Sequence, residues 1–374
     1  MDAVELIEDY TPGDFWFATS RHTILGSGSR LTFTDTDVPA LGDAVPAALA
    51  GSPGSLAVGV LPFDTTATPG YLVVPSVARV SGPAHPSAAA LPRLTIDGPS
   101  AVRAVPEPVA HVEAVARAVR ALQDRGLRKV VLARALDLEF PGEVPAKAVL
   151  RNLLKDNSHG YTFAAALPGG RSLLGATPEL LLSRSGRRVV SHPHAGSAPR
   201  SADPVTDREN ADRLSSSRKD HVEHAVLSEA IVETLRPFCR RLSVPRTPSL
   251  VSTPTMWHLS TMVTGELVDP DVTALHLAGA LHPTPAICGS PTVEARELVG
   301  ELEPFDRGYY AGTVGWMDAS GDGEWAVSIR CAEVSSSRMR LYAGGGIVPA
   351  SDPKAELDET SAKFRTLLRA MGLE

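Results

Sequence analysis

The stretch KDHVEHAVLSEAIVETL, residues 219–235, reads as a helix in which Val226, Leu227 and Ala230 share one stripe at about 100° per residue, with Glu223 in the middle of it. A carboxylate on that stripe faces the core. Burying a lone charge costs several kcal/mol, so Glu223 must be protonated, paired or bound to a cation. A second helix, over DPKAELDETSAKFRTLLRAMGL, repeats the pattern. Glu356, Glu359, Lys363 and Leu367 stand at i, i+3, i+7 and i+11, so two carboxylates and an ammonium share a face with an apolar residue. A solvated Glu–Lys pair would explain one such helix. Two carboxylate helices with no Cys or His cluster suit a hard, oxygen-seeking ion such as Mg²⁺, which keeps waters and is completed by an anionic substrate.

Four further places can carry chemistry. AGGGIV, with Gly344, Gly345 and Gly346, strips side chains from what reads as a strand end, so backbone N–H groups can approach an anion, although glycine runs also serve tight turns. No GK[ST] follows it, which excludes a P-loop. Arg330 lies within the apolar strand AVSIRCAEV, where it is either an outward-facing arginine or a fork for a carboxylate. Lys129 opens the strand KVVLARAL, as a solvated cap or, if buried, as a general base. Glu179 follows Thr177-Pro178 and precedes three leucines, so a proline-fixed backbone can aim its carboxyl into a cleft or leave it as a turn residue. Seven of the eleven histidines fall between residues 192 and 282, which invites zinc, yet HVEH lacks the HExxH arrangement of a zinc hydrolase.

The elements that must position these residues belong to an ordinary globular chain of 374 residues, 43% hydrophobic and 21% charged. Its net charge of −7 offers no basic field for nucleic acid or an anionic membrane. The amino terminus lacks a basic segment followed by an apolar one, and no 18 apolar residues run together, so a soluble cytoplasmic protein is expected. Three widely spaced cysteines fit a reducing compartment without disulfides.

Short alternating runs over the first hundred residues give way to an irregular connection at 81–100. A helix ended by Gly126 and the strand from Lys129 follow, then a second helix and strands turning at Pro168-Gly169-Gly170 and Ser185-Gly186. One long helix is expected over roughly 206–241, one strand over TMWHLSTMVTGELV, two short helices around LHPTPAICGSP, and strands over YYAGTVGWMD, EWAVSIRCAEV and MRLYAGGGIV before the last helix. Strands in blocks argue α+β rather than a doubly wound parallel sheet.

Together KVVLARAL, GATPELLL, SHPHAGSAPR, RKDHVEHAV, TMWHLSTMVTGEL, LHPTPAICGSP, FDRGYYAGTVGWM, WAVSIRCAEV, LYAGGGIVPASDP and ELDETSAK resemble the chorismate-utilising enzymes of menaquinone, siderophore and tryptophan pathways, the isochorismate synthases in particular. The resemblance runs from about residue 106 to the end. It implies a single large α+β unit like anthranilate synthase component I, with two antiparallel sheets forming a sandwich-like core and helices outside. Residues 1–105 would be its variable amino-terminal part and 106–374 its chorismate-binding catalytic core.

By the same resemblance, Lys129 is the general base acting on water at C2 of chorismate, and Glu179 the general acid for the departing C4 hydroxyl. Glu223 and Glu359 hold Mg²⁺, with Glu356 beside it, directly or through water. The ring carboxylate meets the Gly344, Gly345 and Gly346 backbone. Arg330, Tyr310 and Lys363 hold the enolpyruvyl carboxylate or its neighbourhood, and His258 sits near the leaving hydroxyl. Lys129 stands where ammonia-using relatives such as anthranilate synthase lack lysine, and Ala195 where aminodeoxychorismate synthases carry a nucleophilic lysine. Water is therefore the expected nucleophile, with no obligatory amidotransferase subunit and a monomer as the family-typical state. Salicylate synthase, which goes on to eliminate pyruvate, is the alternative within the family. A non-catalytic chorismate-binding protein or a metal hydrolase is the alternative outside it. The product is expected to feed siderophore, menaquinone or other secondary-metabolite synthesis.

Overall fold

The computed structural model describes residues 3–52, 54–157 and 159–373. Alternation in the first strand shows how the layers arise. Phe15 and Phe17 point into one hydrophobic cluster, while their neighbours Trp16 and Ala18 point into another. That strand, Phe15–Ala18, belongs to a ten-stranded antiparallel sheet whose centre includes Lys129–Glu139, Arg338–Ile347, Cys331–Ser335, Arg171–Thr177 and Tyr161–Leu167. Burial on both faces explains why these strands read as near-continuous apolar runs.

One face packs on a nine-stranded antiparallel sheet that includes Leu180–Ser185, Gly323–Val327, Thr313–Asp318 and Leu56–Leu61. The other packs under helices Ala3–Asp9, Ala146–Asp156 and Pro353–Ala370, through Leu6, Leu150 and Phe364. The architecture is the expected α+β sandwich with outer helices.

The structure corrects the expected elements in four places. The long helix is two, Pro204–Ser216 and Arg218–Leu235. Ser217 breaks it with an extended backbone and caps the second, its hydroxyl accepting from the Asp220 amide at 3.2 Å. That second helix ends at Leu235, and Cys239–Ser243 is already a strand. TMWHLSTMVTGELV is two strands in different sheets: Val263–Leu267 joins the nine-stranded sheet, and Met256–Ser260 pairs with His194–Pro199 and Ser249–Ser252 in a third, three-stranded one. EWAVSIRCAEV likewise splits into Gly323–Val327 and Cys331–Ser335, which lie in opposite layers. The glycine run lies at the end of strand Arg338–Ile347, as expected, and stays in its ladder, where Gly344, Gly345 and Gly346 pair with Ala133, Leu132 and Val131.

Candidate active site

The third sheet, the end of the Lys129–Glu139 and Arg338–Ile347 ladder, and helices Arg218–Leu235 and Pro353–Ala370 close around one cavity. Its wall includes Glu179, Glu223, His258, Tyr310, Arg330, Gly344, Gly346, Glu359 and Lys363. Of the residues expected at the site, Lys129, Glu356 and Gly345 are the ones set behind that wall.

Three glutamates on this wall or just behind it each carry a lysine. Lys129 is fully buried, and its Nζ lies 2.9 Å from Glu223 Oε1 without the alignment of a hydrogen bond. Lys219 donates to Glu356 Oε1 at 2.7 Å. Lys363 donates to Glu359 Oε1 at 2.6 Å and to the Gly344 carbonyl at 2.8 Å, and the Ser197 hydroxyl reaches the same Glu359 oxygen at 2.9 Å. Burial and the nearby Glu359 charge raise the Glu356 pKa. Burial also opposes ionisation of Glu359, but Lys363, Lys219 and Ser197 outweigh it and hold that pKa below its ordinary value. Burial acts to lower Lys219 in turn, and attraction to Glu356, Glu359 and Glu223 holds it well above the ordinary lysine value.

The remaining polar side is poorly paired. Glu179 is 3% exposed, and burial pushes its pKa up to about 7 against the pull of the His194 amide, Lys129, Arg330 and Lys363. Arg330 sits at the crossing from one sheet to the other, with φ +49. A non-glycine residue in that region costs on the order of 1–3 kcal/mol. Its guanidinium is buried, one NH2 group stands 3.4 Å from His258 Nε2, the other lacks a hydrogen bond, and burial draws its pKa down to about 10. His258 is held neutral by burial and by Arg330. Tyr310, also raised by burial, stacks on Tyr342 with centroids 4.7 Å apart.

The glycines matter through the side chains they lack. A Cβ at Gly344 would lie 2.8 Å from the Tyr310 hydroxyl, one at Gly345 3.3 Å from Glu356 Oε2, and one at Gly346 would collide with Glu223 Oε1 and Lys129 Cε. Each glycine thus admits one polar group of the site. Sequence reading missed Lys219, Ser197 and His194. Lys219 was within reach, because it stands four residues before Glu223 on the same helix.

The donor set suits Mg²⁺. Glu223, Glu356 and Glu359 offer hard oxygens only, and Gly345 and Gly346 leave room beside two of them. Among the described residues no three His, Cys, Asp or Glu form a ready cation cage.

The pattern of the chorismate binding enzyme family matches residues 94–372. Isochorismate synthase DhbC of Bacillus subtilis is 47% identical over all of this chain and 97% of its own length. A solved structure of DhbC from Bacillus anthracis, 44% identical, superposes over the whole of both chains with a TM-score of 0.94. Anthranilate synthase component I from Streptococcus pneumoniae, 20% identical, shares the fold at a TM-score of 0.75 over 93% of this chain and 92% of its own.

Proposed function

From the premise that the chain belongs to the chorismate-binding enzyme family, we propose that it is an isochorismate synthase, adding water at C2 of chorismate and releasing the C4 hydroxyl. The observation that carries the reading is one cavity with Glu223 at one part of its wall, Lys129 buried 2.9 Å behind it, and Glu179, its carboxyl pKa raised by burial, at another part. Lys129 takes the proton from the attacking water, and the Glu223 carboxylate offsets the ammonium charge that results. As the C2–O bond forms, the ring double bond shifts and the C4–O bond breaks. Glu179, whose carboxyl is kept protonated well above the usual range by burial, gives its proton to the departing oxygen. His258, kept neutral, lies beside Arg330 near that oxygen.

Chorismate is a dianion, so a chain of net charge −7 needs a local positive pocket. Arg330 and Lys363 supply it, with Tyr310, around the enolpyruvyl carboxylate, and the Gly344 and Gly346 backbone borders the ring carboxylate. Glu223 and Glu359, with Glu356, would hold Mg²⁺, which when bound supplies positive charge beside that carboxylate.

The test is to incubate the protein with chorismate and Mg²⁺, without ammonia or glutamine, resolve the products by chromatography and assay pyruvate in parallel. Isochorismate without pyruvate is expected. Salicylate with equimolar pyruvate would make it a salicylate synthase, and turnover only with an amine donor would overturn water as nucleophile.

A further inference from the structure

Each turnover of the reaction proposed above leaves a proton on Lys129 and removes one from Glu179, so Glu179 must be reprotonated before the next; the inference here rests on that reading. A second cavity, of about 360 Å³, adjoins the first. Pro178 and His194 belong to the walls of both, whereas neither Lys129 nor Glu223 lines the second. The histidines of this region grade in burial, from exposed His159 through partly buried His192 to buried His194. The His192 and His194 ring centroids are 4.9 Å apart, and His194 stands 5.9 Å from His258. The His194 amide also donates to the Glu179 carboxyl, tying it to a residue that lines both cavities.

We propose that His194, with His192 outside it, returns a proton to Glu179 from water in this second cavity. Water gives a proton to one ring nitrogen of His194 while the other ring nitrogen releases its proton, through a bridging water, to the Glu179 carboxylate, and exchange with water in the second cavity then returns the ring to its first tautomer. The hydroxide left behind is neutralised by the proton that the attacking water gave up, so the cycle consumes neither acid nor base. Such a shuttle needs a neutral imidazole, with one N–H and one lone pair. Burial, reinforced by His192, His224 and Arg330, holds the His194 pKa at about 3, and His258 also faces the ring. The cations acting on Glu179 itself are Lys129, Arg330 and Lys363.

The full chain carrying His194→Leu tests this. The expected result is a kcat lower by roughly 10- to 100-fold with the KM for chorismate within about twofold, because the loss falls on proton transfer rather than binding. The loss grows as pH rises above 7 and is partly reversed by imidazole, which the second cavity can admit. His192→Leu gives a smaller loss with the same pH and imidazole response, and decides the matter if His194→Leu does not fold. An unchanged kcat, or a loss equal at every pH and unmoved by imidazole, overturns the relay. A wild-type chain that makes no isochorismate overturns the reaction itself, which keeps the two failures distinct.

Discussion

The lysine–glutamate side of the cavity and its Glu179–Arg330 side are both rich in ionisable groups, yet they manage charge in opposite ways. On the first, Lys129, Lys219 and Lys363 each stand within 2.9 Å of one of Glu223, Glu356 and Glu359, so lysines and carboxylates are matched one to one. On the second, Glu179, His258 and Arg330 are buried with little pairing, and burial moves all three away from their ordinary pKa values. A balanced side can accept a cation together with an anionic substrate at little electrostatic cost. An unpaired side holds groups poised to exchange protons or to grip a carboxylate, and that readiness lowers stability.

The largest expected effect of breaking this contrast is at Glu179. Glu179→Gln should lower kcat by at least about 100-fold, and it should abolish the loss of activity expected of wild type as pH rises through about 7. On stability the substitution acts in the opposite direction. A carboxyl whose folded pKa is raised binds more protons folded than unfolded between about 4.5 and 7, so wild-type stability falls as pH rises through that window. The shift corresponds to on the order of 3 kcal/mol. Denaturant unfolding at pH 8 should therefore find Glu179→Gln more stable than wild type; lower stability would show that the burial cost was misjudged.

A smaller effect is expected on the balanced side. Lys219→Met removes one positive charge from the glutamates and should tighten binding of Mn²⁺, used as a probe for Mg²⁺, by roughly fivefold in calorimetry without substrate, the size of a few-ångström interaction at partial exposure. It leaves Glu356, 1% exposed, without its lysine, so some stability is lost as well. Unchanged Mn²⁺ affinity would mean that Lys219 only fills space.

Much of this contrast was legible in the sequence, because a glutamate inside an apolar helical stripe must be compensated wherever the helix packs. Glu223, Glu356 and Glu359 were found that way. Arg330 was found for the wrong local reason. Alternation was read through a continuous strand, whereas the chain turns over at residues 328–330 and changes sheets, a choice set by distant partners such as Gly312 and Ala176. The three-stranded sheet was invisible for the same reason, since nothing local in TMWHLSTMVTGELV marks where it leaves one sheet for another. The glycine run was read as an anion cradle at a strand end. Its observed place, with each missing side chain making room for Tyr310, Glu356 or Glu223, depends on pairing across more than two hundred residues.

The central claim is that water enters beside Lys129 and Glu223 and the old hydroxyl leaves beside Glu179. The most direct measurement is turnover of unlabelled chorismate in oxygen-18 water, with mass spectrometry of the isochorismate formed. The account predicts solvent label at the C2 oxygen in wild type and loss of that product in Lys129→Ala. Unlabelled isochorismate would mean that the C4 hydroxyl migrates within the molecule, contradicting the account.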